Sequence, residues 1–247
     1  MDYLKHEEFF LEEAWAVYES YFLNKSDFIV KYNEINSLEN KSEFLRVISR
    51  YHYLVKDLTY SSLKSHGLEL DFVSATHKFI TIIALIESLY HEAKHIDFYE
   101  WLMRGNTFPL SKEELKKEYK KYKDEFGSRK SIIHFFSSLD SDIITYIQES
   151  ITLLNFKNAS LNDKSSIEQL SNLLYQIRSD FIHNAELVVE LSDVSTIAKR
   201  NEKPYLFELS LLSFCKIFEL GVLKFFNIKP DKNSTLLDYR GFTLLQE

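Results

Sequence analysis

The sequence predicts an all-α protein, a helical bundle with an added N-terminal helical region, and three observations predict it. Only 5 Gly and 3 Pro occur in 247 residues, whereas β folds and doubly wound folds spend many of both on turns. Hydrophobic residues make up 45% of the chain and aromatic residues 15%, which supplies a real core and argues against disorder. Apolar residues also recur at three-and-four spacing over stretches too long for strands. Few, long elements joined by short polar loops fit that pattern.

The elements follow in order. Residues 5–23 carry Phe9, Phe10, Ala14, Val17, Tyr18 and Tyr21 at helical spacing, and residues 41–65 carry Phe44, Leu45, Ile48, Tyr51, Leu54 and Leu58. Ser65, His66 and Gly67 break the pattern and set a soft boundary between an N-terminal region, 1–66, either a separate domain or an added layer on the same core, and a larger helical domain, 67–247. Residues 71–103 form the most apolar segment, and the stretch ATHKFITIIALIESLY, apolar nearly all round, predicts a buried helix that Pro109 shuts off. Ser111 with Glu114 three residues on is a capping box. The helix behind it interleaves six lysines with five acids and reads as a solvated helix with i,i+4 pairs. After Gly127, residues 131–154 carry a continuous helical pattern from Ile132 to Ile151. Another helix spans residues 165 to about 190, with Ile167, Leu170, Leu174, Ile177 and Phe181 on one side. Residues 192–203 are irregular and charged, Pro204 opens a last helix running to about Phe226, and the tail ends in a short strand or extended arm, FTLLQE.

The single Cys215 excludes an intramolecular disulfide framework, and its setting, LLSFCKIFEL, predicts a buried, inert thiol. No leader-like start and no long apolar run are present, so a cytoplasmic protein with no membrane contact is expected. The net charge of -7 excludes a broadly basic nucleic-acid coat, though not a local site.

One constellation points to chemistry. Arg178, Ser179, Asp180, Phe181, Ile182 and His183 lie near the end of an amphipathic helix. Five steps place Arg178 and His183 about 140° apart around the axis, a gap a long arginine can bend across. Ser179 shares a face with His183, and Asp180 is close enough to orient the imidazole. Arginine clamps a phosphate bidentately and stabilises charge as it builds, histidine moves a proton at neutral pH, and an RNA 2′-hydroxyl supplies the nucleophile without a metal. Arg46–His52 and Arg129–His134 have similar spacing. Only at Arg178 do small and acidic polar groups follow the arginine and a polar residue, Asn184, follow the histidine. Aromatic residues at helical spacing belong to the core, and Tyr175, one turn before Arg178, is the ring to consider for base stacking.

The segment LYQIRSDFIHNAEL resembles the signature of the HEPN superfamily, an arginine, four to six residues and a histidine on an all-helical fold. The stretch ITIIALIESLY, about ninety residues upstream, is similar to the helix of Apea-like members that reads alanine-leucine-glutamate-serine-leucine. The resemblance covers about residues 70–226. It implies a homodimer that brings two arginines and two histidines together. It also implies a metal-independent endoribonuclease of a toxin, phage-defence or RNA-processing kind, needing no cofactor, with an antitoxin or defence-system protein as partner. Carried over, Arg178 is the phosphate clamp and His183 the acid/base or phosphate-contacting group. Ser179 takes the polar position where Asn or Asp is commoner, and Asn184 stands where Gly is frequent. Non-catalytic RNA- or protein-binding modules share the fold, and that reading stays open.

A third reading is a zinc hydrolase. His91, Glu92 and His95 spell H-E-x-x-H, with two histidines one turn apart and a glutamate for general base. Glu87, a further turn back, would put a carboxylate on the same stripe. Against it, Lys94 places a cation between the ligands, and the polar stripe alternatively supports the Arg178 site.

Overall fold

A computed structural model of the chain describes residues 2–58, 67–90, 96–105, 108–154, 164–185, 191, 195–200 and 202–232. Of these, 71% are helical and 6% are in strands, so the fold is all-α. A 3₁₀ turn at Leu4–His6 leads into α1 (Glu7–Tyr18), followed by α2 (Lys25–Asn33) and α3 (Leu38–Tyr51). The α2 helix, which the sequence pattern did not announce, starts because the Asn24 side chain accepts from the Asp27 N–H at 3.0 Å. Ser37 caps α3 in the same way through Asn40. At its far end α3 widens into a π-helical turn, His52–Asp57.

The long apolar helix expected over 71–103 is divided. Helix α4 (Gly67–Ser88) ends before Leu89, and α5 (Phe98–Gly105) starts afresh where the Asp97 carboxylate accepts from the Tyr99 N–H at 2.8 Å. Helix α6 (Lys112–Phe126) starts at the predicted capping box, with Ser111 and Glu114 bonded reciprocally. The continuous helix expected over 131–154 is also divided, into α7 (Ser128–Ser137) and α8 (Ser141–Ser150), with the short strand β1 (Ile151–Leu153) behind them. The periodicity hides that break because Leu139, in the turn, is buried like the helical residues on either side.

Helix α9 (Ile167–Asn184) has its own capping box, Ser166 with Gln169. It ends at Asn184 instead of running to about residue 190. The largest correction concerns residues 195–210. Instead of irregular chain and a helix opened by Pro204, β2 (Thr196–Arg200) and β3 (Lys203–Phe207) form an antiparallel hairpin, and β3 also pairs with β1. Pro204 sits at the second residue of β3, where its carbonyl still accepts from the Leu154 N–H at 2.9 Å. Helix α10 (Leu211–Phe225) starts at Ser210, whose hydroxyl accepts from the Ser213 N–H. The segment FTLLQE lies outside the described residues.

Among the described residues, every α-helix except α5 and α6 contributes to one hydrophobic cluster that runs from Tyr3 to Ile228. Phe44 of α3 lies between Tyr18 of α1, stacked at 6.0 Å, and Phe226 just past α10, edge-on at 5.4 Å. Phe79 of α4 packs on Phe214 of α10 at 5.2 Å. The N-terminal helices therefore bury their aromatic faces against the same central helix as the rest of the chain, each such ring contributing about 1.5–3 kcal/mol by burial.

A charged group stands inside this core. The side chain of Glu219 in α10 is 2% exposed. It accepts hydrogen bonds from the Tyr21 and Tyr51 hydroxyls, both at 2.6 Å, and from the Lys56 ammonium at 2.8 Å. The Tyr18 hydroxyl donates to the backbone carbonyl of the same residue at 3.2 Å. Burial, reinforced by the Glu219 charge, holds the Tyr18 phenol well above the usual range, and Tyr51 is raised first by the same burial. Both phenols thus stay protonated as donors. A buried carboxylate is tolerated only when its acceptor sites are filled, and here the donors come from the α1–α2 connection, α3 and the π-helical turn. The expected buried thiol is present. Burial pushes Cys215 up to about 11.

Among the described residues no helix is long and apolar enough to cross a membrane. Replacing Glu219 with Ala leaves Lys56 and two phenols without their acceptor and is expected to cost about 3–5 kcal/mol in urea unfolding followed by circular dichroism. Cys215 in the native protein is expected to resist iodoacetamide at pH 8 and to react more readily as pH rises toward its pKa. Urea-unfolded protein should be alkylated readily at pH 8, as a mass-spectrometric time course would show.

Candidate functional site

Helix α9 carries the Arg178–His183 segment. Its apolar side, Leu170, Leu173, Leu174 and Ile177, is buried, which fixes the rotation of the helix and sets where the polar residues fall. It packs on α4 and α7. Phe181 meets His77 of α4 edge-on at 5.5 Å. Tyr175 is half-buried and packs against the hydrophobic core.

Arg178 is one residue past the buried Ile177 and leans toward α4. Its Nη2 donates to Glu87 Oε2 at 2.8 Å, with the arginine side chain 20% and the glutamate side chain 10% exposed. The pair joins residues 91 positions apart. It also answers an unfavourable placement, because a carboxylate in the last turn of α4 faces the negative end of the helix dipole. Arg178 Nε is buried and has no hydrogen-bond partner among the described residues. The expected bend of Arg178 across α9 toward His183 is not what the geometry adopts. Glu87 offers the guanidinium a nearby opposite charge, and α9 stays regular to Asn184, so its end does not loosen.

His183 and Asn184 are exposed in the last turn, while Ser179 and Asp180 are half-buried. Ala185 stops the helix in the left-handed region at φ 54, its N–H donating to the Phe181 carbonyl at 2.9 Å. A side chain with a Cβ there costs about 1–2 kcal/mol. Arg178 and His183 of one chain therefore face different ways, the arginine into the α4–α9 seam and the histidine into solvent.

The end of α4 is held from a second side. Arg46 of α3 pairs with Glu43 and donates to the Ser88 hydroxyl at 3.1 Å. This arginine, which is followed in sequence by the apolar Val47 and not by a polar group, is thus the neighbour that fixes the residue next to Glu87. Arg129, the other alternative, bonds Asn172 of α9. Glu87 is the site residue that sequence spacing assigned elsewhere, to a zinc stripe with His91 and His95. Its engagement by Arg178 fits the other role of that polar stripe, support of the Arg178 site. His91, Glu92 and His95 lie outside the described residues, and among the described residues no group of three metal-ligating side chains occurs.

No family model, curated protein or solved structure matches the chain.

The Glu87–Arg178 pair is partly screened by solvent, so a double-mutant cycle with Glu87→Gln and Arg178→Gln is expected to give a coupling of about 1–2 kcal/mol in chemical unfolding. A coupling near zero would show that the pair does not hold α4 and α9 together.

Proposed function

We propose that the protein is a metal-independent endoribonuclease of HEPN type, in which Arg178 and His183 from two copies of the chain form a composite site. The observation that carries this reading is the state of α9. It ends in an exposed histidine two residues before a strained left-handed Ala185, while a half-buried arginine one turn earlier keeps a buried Nε donor without a partner. Strained backbone concentrates at functional sites. A buried donor left unpaired is stabilised when an acceptor such as a phosphate oxygen reaches it.

The roles follow from these positions. Arg178, oriented by Glu87, would hold a phosphate oxygen and stabilise the negative charge that builds on the phosphorus centre. His183, reachable from solvent, would take the proton of the ribose 2′-hydroxyl as that oxygen attacks or give one to the departing 5′-oxygen. Because the two residues of one chain diverge, the second copy would supply the partner group. A toxin or phage-defence setting, with an antitoxin or defence protein as partner, and the cytoplasm as compartment belong to the same reading.

The Glu87 ion pair favours a second reading, a non-catalytic RNA- or protein-binding module in which Arg178 is a strut between helices. The two readings separate in one assay on purified protein with structured and single-stranded RNA in EDTA. The nuclease reading expects cleavage that leaves a 2′,3′-cyclic phosphate and falls by about 10²-fold or more in both Arg178→Ala and His183→Ala at unchanged helicity. Undiminished cleavage in either variant would sink it, and no cleavage of any RNA by the wild type would favour the module.

A further inference from the structure

We infer that one face of helix α6 is a grip for single-stranded RNA, separate from the Arg178–His183 segment. The choice of RNA over other polyanions rests on the nuclease reading. In sequence, α6 looks like evenly mixed charge, but the helix sorts it. With 3.6 residues per turn, Lys112, Lys116, Lys120 and Lys123 fall within about 80° of one another. Glu113, Glu114 and Glu118 all lie beyond that arc. Lys121, on the far side, is already paired with Glu118. The four stripe lysines are exposed and make no ion pair among the described residues. On a chain of net charge -7, this is a local cationic line on an acidic body.

Aromatic surface borders the line. Tyr119 is 44% exposed and Leu115, one turn earlier, 42%. The Tyr119 ring is braced edge-on by Phe98 of α5 at 5.1 Å, and the Lys123 ammonium lies 4.7 Å from its centroid. A base stacked on that ring would take the place of the ammonium, which could then turn to the adjoining phosphate. Beneath, the Tyr122 hydroxyl donates to the Ile96 carbonyl at 2.9 Å, so the segment leading into α5 helps to fix the rotation of α6 and with it the direction of the stripe. A row of lysines beside an exposed ring is the chemistry that holds a single strand without reading its sequence. An acidic protein or an anionic lipid surface would answer the charge as well, but a nucleobase is the partner that would stack on the braced ring of Tyr119.

The test uses the intact chain and a fluorescein-labelled 2′-O-methyl RNA of about 20 nucleotides, which cannot be cut through its 2′-oxygen, read by fluorescence anisotropy. Lys116→Glu with Lys120→Glu is expected to weaken binding at least tenfold and to flatten the dependence of log K on log salt by about 1.4, as expected for two lost phosphate contacts on a single strand. Lys116→Ala with Lys120→Ala should act in the same direction, and Tyr119→Ala should weaken binding by about fivefold or more. The control pair, Lys117→Glu with Lys121→Glu, changes net charge equally outside the stripe and should shift affinity less than about threefold. Equal losses in both pairs, or no RNA binding by the wild type at low salt, would overturn the inference. So would stripe-dependent pelleting with phosphatidylcholine–phosphatidylserine vesicles while RNA affinity stays unchanged. Cleavage measured in parallel separates the two claims. Stripe-dependent binding without cleavage would keep this inference and sink the nuclease reading, and cleavage indifferent to the stripe would do the reverse.

Discussion

The buried carboxylate of Glu219 is the constraint on which the rest of the arrangement depends. An ionised group in an aromatic core is tolerated only if every donor arrives at once. The donors are spread over Tyr21, Tyr51 and Lys56, in three different places along the first quarter of the chain. Satisfying one carboxylate therefore fixes the end of α1, the end of α3 and the π-helical turn against α10. Apolar packing of the same helices would be attractive in many registers, whereas hydrogen-bond geometry is satisfied in few.

That constraint reaches the candidate site by contact. Tyr51 pins the end of α3, and Arg46 on the same helix bonds Ser88 at the end of α4. The next residue back, Glu87, holds Arg178. The orientation of the guanidinium is thus set through three helices, although neither Arg46 nor Glu219 touches it. His183 is placed differently, by the capped end of a helix whose rotation the core decides.

What was legible in the sequence was local. The capping box at Ser111 is encoded within four residues, the buried face of α9 shows in its periodicity, and the burial of α4 shows in a segment apolar nearly all round. The misses have physical reasons. Leu139 keeps the helical rhythm through a turn, so the break between α7 and α8 leaves no mark in hydrophobicity. The hairpin of β2 and β3 is held by pairing with β1, some fifty residues earlier, and Pro204 suits the start of a helix as well as the start of a strand. The Glu87–Arg178 pair joins two helices whose contact no spacing rule reveals. At the site, the sequence places Arg178 and His183 near the end of one helix but does not show that the arginine looks away from the histidine.

The aromatic and ionic ties between the first helices and α10 bear on how the chain can be divided. A fragment beginning after residue 58 would expose Phe218 and Phe226 and strip Glu219 of its three side-chain donors. The first fifty-eight residues are thus one wall of the core and not an appendage to it, and losing them would take away the Arg46 contact that holds the end of α4 beside the seat of Arg178.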